Sequence, residues 1–269
     1  MKKVLAIFLA ALMLFSFAAC GGTKTPTDAK TPVDAETVSD LEYIKEKGKL
    51  IVGITNYEPM NYTDENGEWT GFDTEFAQAV GEKLGVEVEF IEINWDNKFI
   101  ELEAKDIDCI WNGMTITDEA KLNASVSNAY VKNAQVVVMK KDVVDNYADA
   151  ASMADLKFVA EAGSAGEKEI QALEFKNYTA ANTQADALLE VESGKADACV
   201  IDITMANAMT GEGTSYDKLS YKVELSTEEY GIAFRKDSDL TAEVNNIMAA
   251  LVEDGTLTAL AEKYELTLA

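Results

Sequence analysis

The sequence predicts an α/β protein of two similar lobes that face each other across a cleft, and three observations carry that expectation. Two stretches echo each other: Leu102-Glu103-Ala104-Lys105-Asp106-Ile107-Asp108-Cys109-Ile110-Trp111-Asn112, and Val191-Glu192-Ser193-Gly194-Lys195-Ala196-Asp197-Ala198-Cys199-Val200-Ile201-Asp202. Each reads as a helix end, a tight turn and a short apolar strand, with Cys109 and Cys199 in register. Strands and helices alternate along the rest of the chain, which implies mostly parallel sheets flanked by helices. Two apolar segments, 135–139 and 230–234, stand where a chain would leave the first lobe and return, making a two-strand hinge. Ligands of open α/β sheets sit beyond the carboxyl ends of the strands. Trp111-Asn112 and Ile201-Asp202, which end the two echoes, are therefore expected to face one another across the cleft.

The elements follow in chain order. Residues 1–19 read as a signal peptide: Lys2 and Lys3 form a basic start, 4–15 an apolar run too short to span a membrane stably, and Ser16-Phe17-Ala18-Ala19 a small-residue cleavage zone. Cys20-Gly21-Gly22 then resembles the lipobox of bacterial lipoproteins, with Phe17 where leucine is usual; an ordinary signal peptide with an incidental cysteine is the competing reading. Residues 20–38, holding Pro26 and Pro32 and lacking an apolar period, read as a lipidated cysteine and a solvated tether. Ser39 caps a helix ending at Gly48, and 49–54 reads as a strand. Glu65-Asn66-Gly67 marks a turn. A helix at 74–84 stops at Gly85 and feeds a strand at 86–91. Beyond the crossing at 135–139, strands are expected at 156–160, 175–178 and 198–201, with helices at 167–173 and 183–193. After the return at 230–234, helices at 240–252 and 257–264 complete the first lobe. The domain boundaries expected are 39–134 and 229–269 for lobe 1 and 135–228 for lobe 2.

Composition narrows the function. A formal net charge of −25 repels nucleic acid and anionic lipid surfaces and attracts small cations, although an acidic surface also simply keeps an exported protein soluble. The chain contains no histidine, which removes the commonest general base and metal ligand, and no metal-ligand spacing occurs. No metal, cofactor or catalytic residue is expected. Cys109 and Cys199 fall in apolar strands of different lobes, where buried free thiols are the expectation.

An ordered set of motifs is similar to the extracellular solute-binding proteins of polar amino-acid ABC importers. The motifs are Gly48-Lys49-Leu50-Ile51-Val52-Gly53, Tyr57-Glu58-Pro59-Met60, Gly67-Glu68-Trp69-Thr70-Gly71-Phe72-Asp73, Ile107-Asp108, Asn112-Gly113-Met114-Thr115-Ile116-Thr117, Ala162-Gly163-Ser164, Gly194-Lys195-Ala196-Asp197 and Tyr230-Gly231-Ile232-Ala233-Phe234-Arg235-Lys236. The resemblance implies a type II periplasmic-binding-protein-like fold, a small-molecule ligand captured by hinge closure, an ABC importer permease as partner, a monomer, and an extracytoplasmic location anchored to the membrane through lipidated Cys20. It further implies that Tyr57 and Trp95 offer flat faces to the ligand. Trp111, the backbone at Asn112 and Gly113, and the Thr115 hydroxyl are expected to line the site. A helix-opening role is the competing reading for Thr115. From lobe 2, Asp202 falls where the family holds the ligand's α-ammonium, and Gly163-Ser164 opens a helix whose N–H groups suit an anionic group, with Glu161 beside it.

The chain also departs from the family. The arginine that usually pairs with the ligand's α-carboxylate is replaced by Ala120, and a second carboxylate partner by Ala165. Arg235 is the only arginine in the chain, and an ammonium at Lys121 does not reproduce a guanidinium fork. Because a carboxylate without a charged partner is costly to bury, two ligands remain open: an amino acid held atypically, or an amine or other nitrogenous solute lacking that group. A tethered solute sensor is a further alternative. The least favoured is a dehydratase-like enzyme using Glu161 or Glu58 as proton donor.

Overall fold

A computed structural model describes residues 39–269, so the expected signal peptide, Cys20 and tether lie outside the described residues. Within them the chain builds two five-stranded sheets. The first lobe opens with α1 (Asp40–Lys47), β1 (Lys49–Ile54), the short hairpin β2 (Tyr62–Thr63) and β3 (Trp69–Thr70), and α2 (Phe72–Leu84). It continues through β4 (Glu87–Glu92), α3 (Lys98–Ala104), β5 (Cys109–Ile110), α4 (Asp118–Asn123) and β6 (Ser125–Val126). The second lobe holds β7 (Val131–Lys140), β8 (Phe158–Glu161), α5 (Ala165–Ala172), β9 (Tyr178–Ala181), α6 (Gln184–Ser193), β10 (Ala198–Asp202), α7 (Ile203–Met209) and β11 (Leu219–Tyr230). The chain then returns with β12 (Ala233–Phe234), α8 (Leu240–Glu253) and α9 (Thr256–Lys263).

Local chemistry sets the boundaries. Ser39 caps α1 by accepting from the Glu42 N–H, and Gly48 ends it at φ 73°, a conformation that favours glycine. Gly67, at φ 83°, turns the β2–β3 hairpin. Leu50, Val52 and Ile54 of β1 are buried with Phe76 and Val80 of α2. Val137, Met139 and Val200 form the second lobe's core with Phe158 and Ile170.

The sheets share one plan. In the first the order is β4-β1-β5-β12-β6, with β1 parallel to β4 and β5, and β12 antiparallel to β5. In the second it is β11-β7-β10-β8-β9, with β8 parallel to β9 and β10, and β7 antiparallel to β10. Each sheet is thus half antiparallel rather than mostly parallel, because the strands that connect the lobes run against the rest. The echoed segments occupy the same place in each. The Asp108 N–H donates to the Ile51 carbonyl (2.7 Å) while its carboxylate accepts from the Ile51 N–H (2.8 Å). Asp197 and Lys157 repeat this clasp at 2.9 and 2.8 Å. Matching the two clasps sets Cys109 against Ala198, so the cysteines expected in register are offset by one residue; both are buried free thiols in these two strands.

Several elements differ from the expectation. The strand expected at 175–178 begins only at Tyr178, because Phe175 turns its ring onto Phe158 from a loop, at 4.7 Å between centroids, after a left-handed Glu174. β11 and α7 were not anticipated, since β11 carries charges along a sheet edge and α7 lacks a side-chain cap. β7 starts at Val131, upstream of 135, so the chain changes lobe at 127–130; the polar residues Lys132 and Asn133 break the apolar run that marks the strand. The crossings pair with one another through Ser127 N–H to the Ile232 carbonyl (2.8 Å) and Tyr130 N–H to the Tyr230 carbonyl (3.0 Å). The C-terminal residues add a third run beside them, with Lys132 N–H donating to the Thr267 carbonyl and Ala269 N–H to that of Tyr130.

Arg235 is spent on lobe 1. Its Nε donates to Asp40 at 3.1 Å, Nη1 to the Ile107 carbonyl at 2.9 Å and Nη2 to Asp108 at 3.3 Å, while Lys47 holds the other Asp108 oxygen at 2.5 Å. All three of Arg235, Asp40 and Asp108 are buried. Removing one partner of a buried charge network leaves the others uncompensated, so Arg235→Met is expected to cost about 3 kcal/mol of stability. Urea unfolding measures this, and a loss under about 1 kcal/mol contradicts the assignment.

Candidate functional site

The two lobes meet over a narrow cavity of about 30 Å³. Nine of the ten expected ligand residues border it: Tyr57, Trp95, Asn112, Gly113 and Thr115 from the first lobe, and Glu161, Gly163, Ser164 and Asp202 from the second. Trp111 does not. It is fully buried in lobe 1 and packs edge-on against Phe76 at 4.7 Å, because side chains alternate along an extended segment and Asn112 faces the cavity instead. Glu58, weighed as a proton donor, lies in a separate outer groove with Tyr62 and Lys263. Arg235 is absent from the cavity walls.

On the first lobe the residues form a shaped wall. Asn112 Oδ1 accepts from the Thr55 N–H (3.1 Å) and hydroxyl (2.8 Å), and its Nδ2 donates to the Thr55 carbonyl (3.0 Å), so this side chain braces the end of β1. The Gly113 N–H, expected to reach a ligand, is given to Asp73 at 2.6 Å. Burial lifts that carboxyl to about 7, against the hydrogen bonds from Gly113 and from Tyr130, whose hydroxyl donates at 2.9 Å. A side chain at Gly113, where φ is 55°, would stand 2.6 Å from the Tyr57 ring. Thr115 does not open a helix: Thr117 caps α4 by accepting from the Ala120 N–H, while the Thr115 hydroxyl donates to Glu228 at 2.9 Å.

Contacts across the gap hold the lobes together. The Tyr57 hydroxyl lies 2.5 Å from that of Thr204 and 2.6 Å from that of Tyr230. Lys98 Nζ reaches from α3 to the Gly163 carbonyl at 3.0 Å. Lys168 pairs with Glu119 across the rim. Gly163, at φ 69°, is closed upon so tightly that a Cβ there would stand 2.8 Å from Asp96 Oδ1. Ser164 caps α5 by accepting from the Glu167 N–H at 3.1 Å.

The second lobe supplies acid. Asp202 ends β10 and is 4% exposed. Its Oδ1 accepts from Asn133 Nδ2 (2.5 Å) and Gln135 Nε2 (2.6 Å), its Oδ2 accepts from Gln184 Nε2, and among the described residues no cation pairs with it. The same two amides of Asn133 and Gln135 also serve Glu228 Oε1, at 2.6 and 2.8 Å. Two carboxylate oxygens sharing the same donors favour one proton between them. Burial raises Asp202, and burial followed by the Asp202 charge lifts Glu228 to about 7. Glu161 is raised by burial above all, and its Oε1 has no partner.

The sequence reading missed Glu228, Gln184, Lys98 and the amides of Asn133 and Gln135. One signal was available: Asn133 and Gln135 alternate with Ala134 along β7, so both amides project from one face.

The raised Glu228 has a measurable consequence. The folded chain keeps this proton to about 7 whereas an ordinary glutamate loses it near 4.5, so stability falls as pH rises between those values and levels above them. Glu228→Gln keeps an acceptor for Thr115 and removes the titration. Its thermal midpoint is expected to exceed that of the parent at pH 7.5 by several degrees, taking about 2–4 °C per kcal/mol, and to vary less from pH 4.5 to 7. Parallel midpoint curves for the two proteins would contradict this.

Comparisons with known proteins give a consistent set. Residues 50–267 match the family of bacterial extracellular solute-binding proteins, family 3. The arginine-binding extracellular protein ArtP of Bacillus subtilis is 30% identical over 98% of both chains. The L-cystine-binding protein TcyJ of Escherichia coli is 31% identical over 82% of this chain and 84% of that one. Among solved structures, a mutant of ArgBP from T. maritima superposes with a TM-score of 0.78 at 32% identity, covering 84% of this chain and 98% of that chain.

Proposed function

The chain belongs to the bacterial extracellular solute-binding proteins, family 3, and from that premise we propose that it is the receptor of an ABC importer for an amino acid, acting by hinge closure and not by catalysis. One observation carries the reading: Asp202 reaches the cavity in a cradle of amides, buried and without a protein cation. A ligand's ammonium supplies that cation, and the free Oε1 of Glu161 offers a second acceptor beside it. The ligands named for the relatives, arginine and cystine, carry such an ammonium.

In this reading Tyr57, Trp95 and Thr115 receive the solute on the first lobe. Asp202, Glu161 and the start of α5 add their contacts when the second lobe swings in. Ligand shifts the equilibrium by its excess affinity for the closed form, and the closed form is delivered to a membrane permease. Lipidated Cys20 would keep the receptor at the membrane, with 21–38 as its tether.

Isothermal titration with the common L-amino acids and L-cystine tests this. Asp202→Asn keeps the shape and removes the charge, so affinity is expected to fall at least about 30-fold, the lower end of what a buried charge pair loses when one partner is truncated. Retention of affinity within threefold sinks the role given to Asp202. Gly163→Ala tests closure, because its methyl group meets Asp96 across the gap, while the thermal midpoint without added solute reads out separately the strain of a side chain at φ 69°. Affinity is expected to fall at least tenfold while the thermal midpoint without added solute moves by only a few degrees. Unchanged affinity would mean that binding does not require the lobes to approach this closely.

A further inference from the structure

Lys98 stands where local preference would not place it. It is the first residue of α3, so its charge opposes the helix dipole. It is only 8% exposed. Such violations of local preference concentrate at functional sites. Two of its three N–H groups go to the carbonyls of Trp95 (3.1 Å) and Gly163 (3.0 Å), and the rings of Trp95 and Phe99 lie 4.9 and 5.1 Å from Nζ. The third N–H is uncommitted.

Two lysines border the cavity. Lys168 is half-exposed and engaged with Glu119, which leaves Lys98 as the buried cation of the walls among the described residues. Ala120 lines the same cavity.

We propose that Lys98 receives the carboxylate of the ligand. This assignment rests on the amino-acid reading above and adds to it the second pole of the solute, with the ammonium at Asp202 and the carboxylate at Lys98. Because Lys98 also donates to the Gly163 carbonyl, the same ammonium that holds the ligand touches the closing lobe. The bound ligand is then a zwitterion lying between the lobes, and a decarboxylated amine is the discriminating probe. Burial and the neighbouring Lys168 bring Lys98 down to about 8, against the opposing pull of Glu119, Glu161 and Asp96. The anchor is charged below that pH and lost above it.

The experiment compares each L-amino acid that binds with its decarboxylated amine, using L-arginine with agmatine and L-cystine with cystamine as the first pairs. Titrations are made on the parent protein, Lys98→Met and Lys98→Arg. The parent is expected to prefer the acid at least tenfold, and Lys98→Met to weaken both solutes through the lost Gly163 contact while erasing the preference, leaving acid and amine within threefold of each other, with an unaltered circular dichroism spectrum reporting a folded protein. Acid affinity is expected to decline above pH 8 more steeply in the parent than in Lys98→Arg, where only the loss of the ligand's own ammonium remains. A preference surviving in Lys98→Met overturns the assignment and leaves the amino-acid reading intact. Amines binding the parent while no amino acid does overturns both the assignment and the zwitterion. Binding of neither set rejects the receptor reading itself, and the assignment with it.

Discussion

A carboxylate withdrawn from water without a cation beside it is the constraint that organises this molecule. Asp202 closes β10 at the cavity wall, and the surrounding chain answers its charge with amides only, from Asn133, Gln135 and Gln184. Amides orient a carboxylate and satisfy its lone pairs, yet they do not neutralise it. Glu228 sits on the same amides; burial makes both groups hold protons more tightly, and for Glu228 the charge of Asp202 adds to that effect. A wall built in this way is stable only where a proton or a cation is present. In the proposed reading, the site therefore selects for positive charge before any shape is considered.

Most of the frame that positions Asp202 was legible in the sequence, and for a physical reason. The segments around Asp108 and Asp197 perform one job twice: each aspartate clasps the strand beside it, donating its N–H and accepting one in return, and each is followed by a buried cysteine in the central strand. A backbone requirement of that kind forces the same residue type into the same place in both lobes, so it appears as an echo. The capped helices were legible because Ser39, Gly48, Thr183 and Gly194 carry the chemistry of helix ends. What could not be read was set by contacts between distant segments. Phe175 is apolar and reads as strand, but its place is decided by the Phe158 ring. Trp111 follows an apolar strand as Asn112 does, and only the packing of Phe76 determines which of them turns inward.

The cations are divided in an unexpected way. Arg235 would be the natural partner for an anionic ligand, because its guanidinium forms paired hydrogen bonds, but it is consumed by Asp40 and Asp108 within the first lobe. The sequence exposes the resulting deficit as Ala120, and suggests either an unusual ligand or an unusual anchor. The fold supplies a candidate anchor from another helix. Nothing in the spacing of Trp95-Asp96-Asn97-Lys98 announces this, since the lysine reaches the cavity only because the short turn at Trp95–Asn97 aims α3 at the opposite lobe.

Closure and recognition are consequently hard to separate. The Tyr57, Thr204 and Tyr230 hydroxyls join the first lobe, the second lobe and the return crossing in a single cluster, while Thr115 reaches Glu228 just before that crossing. Lys98 and Gly163 fasten the far side of the cavity. Closing the gap dehydrates Asp202, Glu161 and Lys98 together, and dehydration without compensation costs more than a few hydroxyl contacts return. Under the proposed assignment, a solute bearing charge of both signs offsets the cost at each wall. A neutral solute of the same size offsets it at neither, and would leave the closed form at a disadvantage however well it filled the space.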